Sequence, residues 1–308
     1  MIELERVTKR HGDMVAVDDV SLAIPTGEFC VVIGSSGAGK STMLRMINRL
    51  TLPSTGAIRI DGASAERFKP EELRRRMGYV IQSIGLFPHW TVGRNIGAVP
   101  ELLGWSRNAI HERAAELLSL LQLDPGRFLD RYPHQLSIGQ QQRVGIARAL
   151  AADPEILLMD EPFGALDPIT REALQHEIAE VHRRSRKTIV FVTHDMDEAL
   201  RLGSRIVIMD RGRLVQAASP VELLTAPAND FVREFIGGDD RGVKLLAVQT
   251  VADRLRSGEA APGTPIVVTA SLRQALARMV AERVDRLAVV DAGGRALGAI
   301  QLTDLVRR

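Results

Sequence analysis

The chain of 308 residues holds one cysteine, Cys30. A single thiol excludes an intrachain disulfide and a metal cluster built on cysteine. Cys30 lies inside the apolar run Phe29-Cys-Val-Val-Ile33 and reads as a small buried residue. Apolar runs of the length that crosses a bilayer, about 20 residues, are missing as well. The opening Met1-Ile-Glu-Leu-Glu-Arg6 lacks the basic start and apolar core of a secretory signal. A cytoplasmic chain is therefore expected, reaching a membrane only through a partner. Charge of one sign is scarce: 40 Lys and Arg stand against 38 Asp and Glu, a net charge of +2. That surplus is too small to argue for nucleic acid as a partner. No segment repeats and none is of low complexity. What is present is an ordinary apolar fraction of 45%, at a length that suits one large domain and one small one.

Residues 1–236 read as one α/β unit. Ile156-Leu-Leu-Met159, Thr188-Ile-Val-Phe-Val192 and Arg205-Ile-Val-Ile-Met209 are short, apolar and rich in β-branched residues. Such runs suit parallel strands covered on both faces. Ile2-Glu-Leu-Glu-Arg6 and Ser21-Leu-Ala-Ile24 alternate in polarity, which predicts half-exposed antiparallel strands. A hairpin is expected at Asp210 to Gly212. Ile110, Ala114, Leu117, Leu118 and Leu121 recur at helical spacing, so an inserted helical subdomain is expected over about 91–150. The polar, glycine-rich Gly237-Gly-Asp-Asp-Arg-Gly242 predicts a linker over 237–247. Beyond it, 248–308 reads as one small α/β unit: an amphipathic helix through Leu272 to Val280, strands at 287–290 and 296–301, and a helix from Leu302. A core that small is expected to need a partner surface.

Gly34-Ser-Ser-Gly-Ala-Gly-Lys-Ser-Thr42 fits G-x-x-x-x-G-K-[ST], with a strand-like run before it and a helical run, Met43 to Leu50, after it. Gly34, Gly37 and Gly39 let backbone approach phosphate. Backbone from Ser35, Ser36, Ala38 and Thr42 completes the cradle, and the helix aims its positive dipole end inward. Lys40 reaches the β and γ phosphates of a nucleoside triphosphate, and the Ser41 hydroxyl is suited to Mg²⁺. Asp160, at a strand's C-terminal end, is expected to hold that Mg²⁺, and Glu161 to polarise a water for in-line attack. Ser137 and Gly139 stand at a second predicted helix start, with a helix expected from about Gln141 to Ala151. Two phosphate-binding helix ends in one chain imply a head-to-tail homodimer, each copy closing the other's nucleotide site. His194, after a strand, is placed to donate to the γ-phosphate, and Gln82 to sense metal and water. Asp167 lies where a loop crosses the dimer seam.

In order and spacing these residues resemble the ATP-binding subunits of ABC transporters across 1–236. The resemblance implies the P-loop NTPase α/β fold, with antiparallel and helical subdomains. It implies Walker A at 34–42, a Q-loop at Gln82, a signature segment at Leu136-Ser-Ile-Gly-Gln140, Walker B at Asp160 with Glu161, a D-loop at Asp167 and an H-loop at His194. Gln82-Ser-Ile-Gly-Leu-Phe-Pro-His-Trp-Thr-Val92, Leu73-Arg-Arg-Arg-Met-Gly78, Glu161-Pro-Phe-Gly-Ala-Leu-Asp-Pro168 and Pro227-Ala-Asn-Asp-Phe-Val232 are similar to the importers of quaternary-amine osmoprotectants: glycine betaine, choline and carnitine. In that family the tail resembles a single CBS-type unit, with Thr303 and Asp304 at nucleotide-contacting positions. Implied partners are transmembrane permease subunits, with Phe87, Pro88 and Trp90 as docking anchors, and indirectly an extracytoplasmic substrate-binding protein. The implied location is the inner face of the cell membrane. His11 stands where the family carries an aromatic on adenine, which implies weaker base selectivity. Ile138 replaces the first signature glycine; its side chain either points away from phosphate or crowds the partner's nucleotide. Alternatives are another importer's ATPase, for example for amino acids, and a regulatory module with weakened ATPase activity. A soluble ABC ATPase lacks support without a coiled coil or second cassette, and a GTPase without an N/T-K-x-D loop.

Overall fold

Two units compose the chain in the computed structural model, which describes residues 1–259, 261 and 263–305; the division falls between Ala217 and Ala218. The strands of the first unit are β1 (Ile2–His11), β2 (Met14–Ile24), β3 (Phe29–Gly34), β4 (Thr55–Ile60), β5 (Ala63–Ser64), β6 (Met77–Val80), β7 (Ile156–Asp160), β8 (Thr188–Val192), β9 (Arg205–Asp210) and β10 (Arg213–Ala218). Its helices are α1 (Lys40–Ile47), α2 (Pro70–Arg75), α3 (Val92–Leu102), α4 (Arg107–Leu120), α5 (Pro125–Phe128), α6 (Ile138–Leu150), α7 (Pro168–Ser185) and α8 (Met196–Leu202).

The central sheet runs β10-β9-β3-β8-β7-β6, and β9, β3, β8, β7 and β6 pair in parallel. Every residue of β3, β7 and β8 is buried, as an apolar strand covered on both faces requires. Alternation then sorts side chains between the two faces. Cys30, Val32, Leu158, Val190, Val192 and Val207 share one core with α1 and the antiparallel sheet β2-β1-β4-β5. On the other face Phe191 packs against Phe29 and Phe163, with ring centroids 6.0 and 5.3 Å away. Because the strands are parallel, β3, β6, β7 and β8 all end at the same edge of the sheet, and the candidate site is built there. The turn from β9 to β10 has positive φ at both Arg211 and Gly212, the two-residue hairpin geometry expected at that position.

The second unit holds α9 (Pro220–Thr225), α10 (Asp230–Phe235), α11 (Arg241–Val248), β11 (Arg256–Ser257), β12 (Ile266–Val267), α12 (Leu272–Glu282), β13 (Arg286–Val290), β14 (Ala296–Gln301) and α13 (Leu302–Leu305). Its sheet runs β11-β14-β13-β12, over a core that includes Leu272, Ala275, Met279, Leu287 and Ile300. Residues 260, 262 and 306–308 of the expected 248–308 unit lie outside the described residues.

Three expectations need correction. The segment 237–247 is not an open linker: Gly237 and Gly238 take left-handed φ to end α10, and the chain then re-enters helix as α11. Leu246 of α11 packs on the second unit's core. The polar Gly-Asp run masked the apolar Val243-Lys-Leu-Leu-Ala-Val248 that follows. The boundary accordingly falls near residue 218 rather than 237, with α9 and α10 in the smaller unit. Finally, α6 starts at Ile138, not Gln141, because Ser137 and Gln140 form a reciprocal capping box.

Two outcomes follow from this packing. Burial pushes the Cys30 thiol up to about 12, so it stays protonated through the neutral and mildly alkaline range. A thiol reagent at pH 7 to 9 should leave the folded chain unmodified and label it fully after denaturation. Leu246→Asp places a charge against an apolar core. Amide exchange across 241–248, slow in the intact chain, should become fast in the variant, whereas an open linker would exchange fast in both.

Candidate nucleotide site

Gly34 closes β3 and opens the phosphate loop. A Cβ at Gly34 would lie 2.1 Å from the Met209 carbonyl oxygen of β9. Gly39, with φ +92°, would put a Cβ 2.2 Å from the Ala16 carbonyl oxygen. The chain's own packing therefore demands glycine at both positions, beyond any need of a ligand. Helix α1 begins at Lys40, three residues earlier than Met43, so the first-turn N–H groups belong to the loop itself. The buried Lys40 ammonium donates to the carbonyls of Gly34 (2.8 Å) and Ser35 (3.0 Å). Burial lowers its pKa, opposed by the charges of Glu161 and Asp160.

Asp160, the last residue of β7, accepts from the Ser41 hydroxyl at 2.8 Å. Burial raises its pKa, against the Ser41 hydrogen bond and the positive charges of Arg45 and Lys40. A divalent cation fits this pair, which offers hard oxygen donors and a carboxylate short of counter-charge. Among the described residues no three His, Cys, Asp or Glu side chains could hold a metal together. Phosphate oxygens would complete the ligand set, as is usual for Mg²⁺.

Glu161 is the next residue and turns sharply, with φ +45° and its N–H on the Val192 carbonyl at 2.9 Å. A non-glycine residue in this left-handed region costs roughly 1–2 kcal/mol. The turn aims its carboxylate across the strand ends. Its Oε2 accepts from Gln82 Nε2 at 3.2 Å and lies 3.2 Å from His194 Nδ1. A carboxylate offers only acceptors, so Nδ1 is the donor here. Residues expected to act at γ-phosphate, from three separate strand ends, thus meet at one oxygen.

A support behind His194 escaped the sequence reading. Thr193 Oγ1 donates to the buried Glu198 at 2.6 Å, and Gln175 Nε2 donates to the other Glu198 oxygen at 3.2 Å. Asp195 caps α8 through the N–H groups of Asp197 and Glu198. Arg171 of α7 lies 3.6 Å from Asp195. Asp195-x-x-Glu198 is a capping-box pattern, the one signal available beforehand. Here the glutamate turns inward and braces the His194 segment.

A cleft of about 640 Å³ is lined by Met14, Val15 and Ala16, the loop from Ser36 to Thr42, Gln82, Glu161 and His194. Its size suits one ligand of nucleotide dimensions. His11 is exposed at the end of β1, opposite Met14, and does not line the cleft. Ser35 bonds Asp210 at 3.3 Å instead. Ser137, Gly139, Gln140 and Asp167 do not line the cleft either. Ser137 and Gln140 cap α6, and Asp167 caps α7 by accepting from the Thr170 N–H at 3.1 Å. At Gly139 a Cβ would meet Thr170 Cγ2 at 2.7 Å, so the two helix starts abut. Ile138 between these residues is 53% exposed.

Comparison with known proteins places this geometry in context. The family described as ABC transporter matches residues 17–164. The glycine betaine uptake system ATP-binding protein YehX of Escherichia coli K12 is 53% identical over 306 residues, covering 99% of both chains. The glycine betaine/carnitine/choline transport ATP-binding protein OpuCA of Bacillus subtilis 168 is 52% identical, over 94% of this chain and 76% of that one. Among solved structures, the dimeric post-hydrolysis state of the ATP-binding cassette MJ0796, bound to ADP and Pi, superposes with a TM-score of 0.65. It is 37% identical and covers 71% of this chain and 99% of its own.

Lys40→Ala removes the cleft's buried cation while leaving the glycine-dependent packing intact. Nucleotide titration by calorimetry should show the affinity for ATP falling by about 10²-fold or more, consistent with lost charge-assisted contacts in a desolvated site. The thermal midpoint without nucleotide should stay close to that of the parent.

Proposed function

The chain belongs to the ATP-binding subunits of ABC transporters, and on that premise we propose that it hydrolyses ATP to drive import of a quaternary-amine osmoprotectant, glycine betaine, choline or carnitine, through a transmembrane permease. The observation that carries the catalytic half is the Glu161 carboxylate held between Gln82 and His194 at the rim of the phosphate loop. The substrate half rests on relatives that match almost the whole chain and are named for these amines.

In this reading the triphosphate lies along Ser36 to Thr42, and Lys40 leaves its two carbonyl partners for the β and γ phosphates. Ser41 and Asp160 would hold Mg²⁺, which when bound neutralises charge on the phosphates. Gln82 and His194 fix the Glu161 carboxylate, so it accepts a proton from the attacking water without reorganising. A neutral imidazole donates through one nitrogen at a time, so His194 gives its N–H either to Glu161 or to the transferred phosphate. Ser137, Gly139 and Gln140 face outward from their own nucleotide cleft because they serve the other copy's. Two copies then close head to tail over two nucleotides, with Asp167 at the seam, and loss of γ-phosphate loosens them.

Phe87 and Pro88 are exposed and Trp90 half-buried, as docking anchors for a permease must be. Asn95 holds their loop in shape through Phe87, Trp90 and Thr91. No helix among the described residues is long and apolar enough to cross a membrane. The proposed position is peripheral, on the inner face, with an extracytoplasmic binding protein delivering solute to the permease. The second unit is proposed as a CBS-like module that pairs with its copy across the dimer. Asp304 there is buried, with Arg256 bidentate on it at 2.9 and 2.7 Å, so this residue serves the fold as well as any ligand.

Glu161→Gln should lower ATP turnover by about 10²–10⁴-fold while ATP still binds. Cells that depend on this subunit for uptake of labelled glycine betaine should lose uptake with the same variant, and unlabelled choline and carnitine should compete in the parent. Turnover unaffected by the substitution would sink the catalytic assignment; amines that neither enter nor compete would sink the substrate.

A further inference from the structure

Helix α6 carries the signature segment at its start and Arg148 near its end, about 15 Å further along at 1.5 Å per residue. The Arg148 guanidinium reaches off the helix. Nη1 donates to the Gly85 carbonyl at 2.7 Å and Nη2 to the Ile84 carbonyl at 3.2 Å. The guanidinium carbon also lies 6.0 Å from the Phe87 ring centroid. One turn earlier Gly145 lies beside the same loop: a Cβ there would be in ordinary van der Waals contact with the Ile84 carbonyl oxygen, at 3.6 Å. Ile84 and Gly85 both have left-handed φ, 63° and 61°, so this loop holds an uncommon shape at the point where the arginine grips it. At one end of the loop Gln82 bonds the Glu161 carboxylate; at the other Phe87 and Pro88 stand exposed.

Burial lowers the Arg148 pKa, and among the described residues no carboxylate pairs with it. The guanidinium is half-buried, so the two loop carbonyls stand in for the water and counter-ion it gives up. Arginine carries its two donors on a rigid planar fork whose face can also lie against a ring such as Phe87, and the compact ammonium of lysine reproduces neither feature. We propose that Arg148 is a positioning residue for hydrolysis: it ties the signature helix to the loop that holds Gln82, and through Gln82 to Glu161. Resting on the dimer reading above, this gives each chain a rigid link between the segment that completes the partner's nucleotide site and the glutamate of its own. A shift of α6 when the partner's site fills is passed to Gln82 as a change in its hold on Glu161.

Arg113 provides a matched control. It donates from α4 to the Leu150 and Ala151 carbonyls, gripping the end of the same helix without touching the loop. In the purified full-length chain with ATP and Mg²⁺, Arg148→Ala should lower kcat by about tenfold, within the range of ordinary coupling energies. KM should change by less than about twofold, and any Hill coefficient above one should fall toward one. Arg148→Lys should behave like Arg148→Ala, and Arg113→Ala like the parent. Amide exchange supplies a readout independent of turnover. In the Glu161→Gln background, ATP should protect 36–42 and also 82–90, and adding Arg148→Ala should abolish only the second effect. Protection of 36–42 without any response at 82–90 in the parent background overturns the link. So does an Arg113→Ala defect equal to that of Arg148→Ala, or an Arg148→Ala turnover equal to the parent's. Absence of protection at 36–42 itself would instead count against the nucleotide-site reading.

Discussion

One carboxylate oxygen organises this site. Glu161 Oε2 takes a hydrogen bond from Gln82 and faces Nδ1 of His194, so the ends of β6, β7 and β8 converge on a single atom. That convergence requires the left-handed turn at Glu161, because an extended continuation of β7 would carry the side chain along the sheet instead of across it. The strain is tolerated because the preceding strand is buried on both faces and cannot shift. The parallel sheet is thus the scaffold that over-determines the turn, and the turn is what makes three separate motifs one site.

The same logic distinguishes what was legible in the sequence from what was not. The phosphate loop, the buried strands and the carboxylate pair were readable because local patterns dictate them: apolar β-branched runs, a glycine at a forced φ, an acid at a strand end. Helix starts were less readable. Ser137-Ile-Gly-Gln140 has the capping-box spacing, which starts the helix at Ile138, three residues before the expected Gln141. At 237–247 two glycines dominated the reading, although they end one helix and only precede the next. Contacts between elements far apart in sequence had no local signal. Arg148 on the loop after β6 is marked by nothing in its neighbours, and the capping-box spacing of Asp195 and Glu198 does not foretell the inward bond to Thr193.

Polar groups buried around the site fall into two kinds, and the difference bears on mobility. Glu198 is satisfied by Thr193 and Gln175, partners that stay within one hydrogen-bonded group, so it acts as a fixed brace. Lys40 and Asp160 are satisfied only by partners that a nucleotide would replace: loop carbonyls for the first, a single hydroxyl for the second. Their opposite pKa displacements, downward for the ammonium and upward for the carboxylate, come from the same burial. Ligand phosphates would add to the opposite charge that Glu161 and Asp160 already give Lys40, and a cation to that which Arg45 and Lys40 give Asp160, so binding acts against the burial that displaces both.

The signature segment shows how a departure from a family pattern should be weighed. A glycine is needed at 139 for a reason internal to the chain, since a methyl group there would strike Thr170 at the start of α7. No such demand exists at 138, the first residue of α6, whose side chain is half exposed. Isoleucine at that position therefore leaves the fold of its own subunit undisturbed. In the proposed dimer, any consequence it has would be exerted on the nucleotide of the other copy. Ile169, 83% exposed, precedes the Thr170 that Gly139 abuts at the start of α7. If the proposed dimer covers these two branched apolar side chains, the gain is in proportion to the apolar area removed from water. In the proposed dimer such covering would favour closure without depending on γ-phosphate, and the contribution would persist after hydrolysis. The expected effect of the substitution is a slower opening step rather than a weaker chemical one.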